Sequence, residues 1–275
     1  MKKKLLILAV LSMALFAISF KYIHKKYYMV FKYFTYEKQL NLIENEISNP
    51  VLAEFSFSNG KGRLTNFPHF SVTLNNNSKL ELNRNYFSEI PDTLPILITI
   101  KTNGQFLSPF SRNIPLEDVY KGRYDRVIKS LCLDFIKDRP HVYVRFNPEM
   151  EVPFPKYRWQ QYDPSTYIRA CRHFNQLCRK YASNVNLVWG PSGYPGTMEF
   201  YPGDDLVDAA SITLKSDSEV GLDVYPLNYP ITYDLFRRLH RLRFIDKPIF
   251  ILGSNQVNAD SVNTEVMRKI SNKVL

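Results

Sequence analysis

From Pro50 onward the sequence alternates short β-branched or aromatic runs with stretches whose apolar residues recur at helical spacing. The runs at 53–57, 70–74, 96–100, 142–146, 186–189, 207–212 and 248–252 predict seven strands. One helix is predicted after Gly122, with Tyr124, Val127, Ile128, Leu131 and Phe135 on one face. A second opens with Asp163 as N-cap and Pro164 in the first turn, and its stripe is Tyr167, Cys171, Phe174, Cys178 and Tyr181. A third starts near Thr232 and carries Leu235, Phe236, Leu239 and Leu242. Strands alternating with helices over short connections imply a parallel sheet covered by helices. No glycine-rich phosphate-binding motif follows the first strand, so the reading is an α/β fold of the (β/α)8 TIM-barrel type over residues 51–275, with no eighth strand identified and the barrel open to being incomplete at its C-terminus.

The N-terminus follows a different rule. Lys2, Lys3 and Lys4 precede residues 5–20, which carry no charge and only two serines. That is the layout of a segment whose basic end stays cytoplasmic while its apolar run enters the bilayer. Tyr22, Tyr27, Tyr28, Phe31, Tyr33 and Phe34 then supply interfacial aromatics. Residues 1–32 are therefore expected to be a signal peptide or an uncleaved signal anchor, and residues 33–50 a juxtamembrane helix or linker. The barrel is expected to be exported, held at the membrane by the N-terminal helix or secreted after cleavage.

Composition changes the picture in one respect. The chain has 275 residues, 45% hydrophobic and 23% charged, which excludes collagen-like, low-complexity and wholly disordered classes. Its net charge of +10 suggests nucleic acid until the charge is located. Residues 1–32 hold seven Lys and no acid, so subtracting seven from ten leaves +3 on the rest, and a nucleic-acid partner is not expected. The cysteines are Cys132, Cys171 and Cys178. The latter two share a predicted helix and stand roughly 10 Å apart along its axis, too far for a disulfide. With five scattered histidines and no Cys/His cluster, no metal or organic cofactor is expected.

In parallel barrels the reactive groups project from the C-terminal ends of the strands. The fourth predicted strand carries Arg145 inside, Glu149 just past its end and Glu151 behind it. Glu149 is thus a candidate general acid, against the plain reading of a surface loop charge. The fifth ends in Trp189, a candidate sugar-stacking indole or a wall filler. The turn 200–208 contains Asp204, Asp205 and Asp208, which in a Gly/Pro turn commonly cap or bond backbone.

Several of these segments resemble, in order, glycoside hydrolase family 26, the β-mannanase-like barrels. They are LEDVYKGRYD at 116–125, VYVRFNPEM at 142–150, NVNLVWGP at 184–191, YPGDDLVD at 201–208 and KPIFI at 247–251. The resemblance implies a TIM barrel and a retaining mechanism with paired glutamates, Glu149 falling on the acid/base position. The family's nucleophile position falls on Gly253, its His before the acid/base is Pro148, and its Tyr after the sixth strand is Lys215. Retaining hydrolysis requires a second carboxylate about 5–5.5 Å from the first. The expectation is therefore a domain that binds a β-linked, mannan-type or envelope polysaccharide with reduced or no retaining activity. Its candidate contacts are Arg145, Glu151, Trp159, Trp189, Tyr194, Tyr201, Asp204 and Asp205. Two alternatives stand beside it: an active endo-glycosidase using Glu149 with a base from Glu151, Glu199, Asp204 or Asp205, and an interaction protein with no sugar ligand.

Overall fold

A computed structural model describes residues 12–13, 15–20, 52–58, 67–74, 90–102, 115–152, 157–214 and 231–252. Seven parallel strands close a barrel in sequence order: β1 (Leu52–Ser58), β2 (Phe67–Leu74), β3 (Ile96–Thr102), β4 (Val142–Phe146), β5 (Asn186–Trp189), β6 (Ala209–Thr213) and β7 (Ile249–Leu252). All seven coincide with predicted strands. Among the described residues there is no eighth strand, in keeping with the expected incomplete barrel: β7 pairs directly with β1, Ile251 beside Ser56 and Leu252 beside Phe57, and this seam closes the ring.

Among the described residues four α-helices lie between the strands: α1 (Pro115–Tyr120), α2 (Asp125–Leu131), α3 (Pro164–Tyr181) and α4 (Ile231–Arg241). The α3 start is the one expected, since the Asp163 carboxylate accepts the Thr166 N–H at 3.1 Å and Pro164 follows. Its face buries Tyr167, Cys171, Phe174 and Cys178, with Phe174 stacked on Phe146 of β4 at 4.5 Å. Each such side chain contributes about 1.5–3 kcal/mol by leaving water. The helix predicted after Gly122 differs at its end. Past Leu131 the chain continues as a π-helical stretch, Cys132–Ile136, which widens the turn while Phe135 and Ile136 stay buried.

Strand parity divides the interior. Ile96, Ile98, Ile100, Val142, Val144, Phe146, Leu187, Trp189, Ala210, Ile212, Ile249 and Ile251 belong to the core that also takes in the buried faces of the helices. The alternate residues face the barrel axis, and its apolar layer is Leu97, Val188, Ala209, Phe250 and Leu252, with Tyr143 set edge-on to Phe250 at 5.2 Å. β6 begins two residues later than predicted. Asp208 bonds Leu187 twice, its N–H donating to the Leu187 carbonyl and its carboxylate accepting the Leu187 N–H, which takes it out of the ladder.

Most of the expected leader and all of the linker at 33–50 lie outside the described residues. Residues 12–13 and 15–20 are helical and exposed, Phe16 by 72%. Among the described residues no helix is long and apolar enough to cross a membrane.

Candidate active site at the C-terminal end of the barrel

The end of β4 carries unusual backbone geometry. Asn147 and Glu149 have φ of +38° and +61°, a region that side-chain-bearing residues seldom occupy. Hydrogen bonds pin each residue between them. Asn147 donates its N–H to the Ile100 carbonyl at 2.8 Å. Its side-chain amide exchanges bonds with Thr102, accepting the backbone N–H at 2.8 Å and donating to the hydroxyl at 3.0 Å. The Pro148 carbonyl accepts from Trp159 Nε1 at 2.8 Å, and the Glu149 carbonyl from Gln160 Nε2 at 2.9 Å. Glu149 N–H donates to the Gly190 carbonyl at 2.6 Å. Left-handed backbone at non-glycine residues costs on the order of 1–3 kcal/mol apiece and persists where surroundings over-determine it, most often at functional sites.

Gly190 itself has no room for a side chain. A Cβ there would stand 2.6 Å from Arg145 Cδ and 2.9 Å from Pro148 Cβ. The missing carbon lets the end of β5 close on both.

Below this loop the barrel axis turns polar. Arg145 crosses from β4, donating through Nε to Thr99 Oγ1 at 3.0 Å and through a terminal nitrogen to Ser211 Oγ at 3.3 Å and Thr213 Oγ1 at 2.9 Å. Burial pushes its pKa down to about 10, opposed by the nearby charge of Glu149, so the guanidinium stays ionised at neutral pH. Among the described residues no carboxylate makes an ion pair with it. His69 Nε2 lies 2.7 Å from Thr99 Oγ1. Burial, then the charges of Arg145 and Lys101, hold His69 well below the ordinary histidine range and therefore neutral. The other ring nitrogen, Nδ1, is buried and has no hydrogen-bond partner among the described residues. His69, Thr99, Ser211, Thr213, Asn147 and Gln160 were not candidates from sequence. The readable signal was the alternating Thr and Ser in the otherwise apolar runs of β3 and β6.

The other candidates scatter. Glu151 is buried behind the loop after β5, where one oxygen accepts from Gly193 N–H at 2.7 Å, Tyr194 N–H at 3.3 Å and the Thr197 hydroxyl at 2.9 Å. Burial outweighs these donors and raises its pKa. It braces a loop. Tyr194, on that loop, is half-buried at the rim. Trp159 is 2% exposed, its ring stacked on Tyr157 at 4.4 Å beneath the Glu149 loop, so it props the acid rather than offering a face to ligand. Trp189 is 1% exposed and packs edge-on against Tyr201 at 5.0 Å in the sheet–helix layer. It fills the wall between sheet and helices, the second of the two readings offered for it. Tyr201 donates to Asp204 at 2.6 Å, and burial first, then this bond, raises its pKa.

Asp204 and Asp205 lie in the connection that leads into the N-terminal end of β6. Asp205 takes a forked pair of bonds from Arg172 of α3 at 2.8 and 2.9 Å, and Arg179 reaches both the Asp205 carbonyl and Asp208. The acidic turn straps the β5–β6 connection to α3. We expect Asp205→Asn to leave glycan binding by the full chain unchanged in calorimetric titration; a tenfold loss would place the ligand on the outer wall. Gly253 and Lys215, the altered nucleophile and tyrosine positions, lie outside the described residues. Among the described residues no group of His, Cys, Asp and Glu is arranged to hold a metal ion.

No family model matches the sequence, and no curated protein matches it. Among solved structures the chain is similar to a GH26 β-mannanase from Bacteroides ovatus, at 13% identity and a TM-score of 0.44, covering 88% of this chain and 92% of that one. It is also similar to GH26C from Muricauda, at 13% identity and 0.43, covering 67% and 68%. A third likeness is to the catalytic domain of a Bacillus GH26 endo-β-1,4-mannanase, at 11% identity and 0.38, covering 58% and 57%. These are distant likenesses of fold, and the barrel stands on its own strand pairing.

Proposed function

We propose that this chain is an exported, glycoside-hydrolase-like barrel that binds a β-linked polysaccharide at the C-terminal mouth and lacks retaining hydrolysis. The observation that carries the reading is the fixed left-handed backbone at Glu149, held by the bonds of residues 147–149 beside the buried charge of Arg145. A loop charge without a task has no reason to be built this way. Glu149 supplies the proton donor or a hydroxyl-binding carboxylate. The buried His69 ring, whose Nδ1 has no hydrogen-bond partner among the described residues, adds a polar group beneath it, and Tyr194 offers a ring at the rim. What removes retaining chemistry is the sequence after β7, where Gly253 stands at the expected nucleophile and residues 252–256 contain no acid. Residues 1–32 anchor the barrel to the membrane or direct its export, with the basic end inside.

The test uses the full chain and its Glu149→Ala variant on β-mannan, β-glucan and xylan. The expected result is binding without reducing ends above the level of the variant. Reducing ends that vanish in Glu149→Ala would replace this reading with an active glycosidase, whose second carboxylate in an inverting geometry stands about 6.5–9.5 Å from the first. No binding to any glycan would leave an interaction protein.

A further inference from the structure

The fold brings together two cysteines that the sequence keeps apart. Cys132 opens the π-helical stretch after α2, and Cys178 sits in the last turn of α3. Their sulfurs are 3.4 Å apart, and both side chains are fully buried. A disulfide bond is about 2.05 Å long, so closure requires the sulfurs to approach by roughly 1.4 Å. Cys171 and Cys178 lie on one rigid helix, seven residues apart, and cannot meet in this way.

We propose that Cys132 and Cys178 form a disulfide that clamps the π-helical turn to the end of α3. The oxidant is a small-molecule or protein disulfide. The thiolate of one cysteine attacks a sulfur of that disulfide, forming a mixed disulfide and releasing one thiol. The thiolate of the other then attacks the protein-side sulfur and releases the second thiol. Two protons and two electrons leave the cysteine pair, and the oxidant is reduced to two thiols. Burial raises the Cys178 pKa and shields both sulfurs, so exchange takes place while α3 is still undocked, during folding. The bond closes a loop that contains β4, the Glu149 turn, Trp159, Gln160 and the start of α3. Tying its ends restricts the unfolded chain and holds the stretch that carries the candidate acid. An exported barrel meets an oxidising compartment, but the chemistry is tested without that assumption.

The full chain is refolded with oxidised glutathione, its free thiols are alkylated under denaturing conditions, and it is digested with trypsin. Arg172 separates Cys171 from Cys178, so each cysteine falls in its own peptide. The expected product joins peptide 130–137 to peptide 173–179, lighter by two hydrogens, with Cys171 alkylated. Oxidation should raise the melting temperature by about 5 °C or more, a gap that disappears in Cys132→Ala and survives in Cys171→Ala. Three alkylated cysteines after refolding, a link to Cys171, or a gap that persists in Cys132→Ala would overturn the proposal. The peptide map decides the matter if the alanine variants do not fold. Neither outcome depends on glycan binding, so this inference and the proposed function fail separately.

Discussion

Replacing Trp159 by alanine is expected to lower the stability of the barrel by about 3–5 kcal/mol, the range for truncating a fully buried indole. Two losses combine. The ring leaves a void against Tyr157, with which it is now parallel to within 3°. The Pro148 carbonyl loses the only donor seen on it among the described residues. Trp159→Phe separates the two, because it keeps most of the packing and removes the N–H. Its cost should fall to about 1–3 kcal/mol, the penalty for stranding a buried acceptor. Urea unfolding measures both. Since Pro148 precedes Glu149, the phenylalanine variant should also weaken glycan binding out of proportion to its stability loss. An alanine variant within 1 kcal/mol of the parent would mean that the indole does not hold this loop.

Glu151 gives the second large effect, and it reverses sign with the substitution. Glu151→Ala strands the buried donors of Gly193 and Thr197 and should cost about 2–4 kcal/mol. Glu151→Gln keeps the accepting oxygen and removes a buried negative charge whose second oxygen has no hydrogen-bond partner among the described residues. It should be neutral or stabilising at pH 7. The pH dependence follows from linkage. Burial raises the folded-state pKa above the unfolded one, so between the two the folded chain binds more protons. The parent therefore loses stability as pH rises from the ordinary carboxylate range through the raised value. The glutamine variant lacks that slope. Its advantage should grow from pH 4.5 to 7 and shrink on acidification, read as the difference in denaturant midpoint between the two proteins. An advantage independent of pH would show that Glu151 titrates normally.

The strands were legible because each is a short β-branched or aromatic run, and β3 to β7 are buried densely enough for composition alone to mark them. The Asp163–Pro164 start of α3 was legible for a local reason, a side chain bonding backbone three residues away. The site was legible only in part. Glu149 and Arg145 stood out by their distance from the end of a strand. For Trp189, one residue from the lumen-facing Val188, the sequence left platform and wall filler open, because parity decides which face a ring takes and a single register step reverses it. Asp204 and Asp205 were drawn to the mouth by proximity to a strand, although they lie in the connection that leads into its N-terminal end.

By itself the sequence determined which segments become strands and helices, where the acid falls along the chain and which residues have no carboxylate near them, since these depend on neighbours a few positions away. Tertiary structure alone decided that seven strands close the ring, that Glu149 is held in a left-handed turn by Trp159 and Gln160, and that Cys132 meets Cys178. Those outcomes rest on groups brought together across long stretches of chain, whose pairing is set by packing geometry that no local pattern encodes.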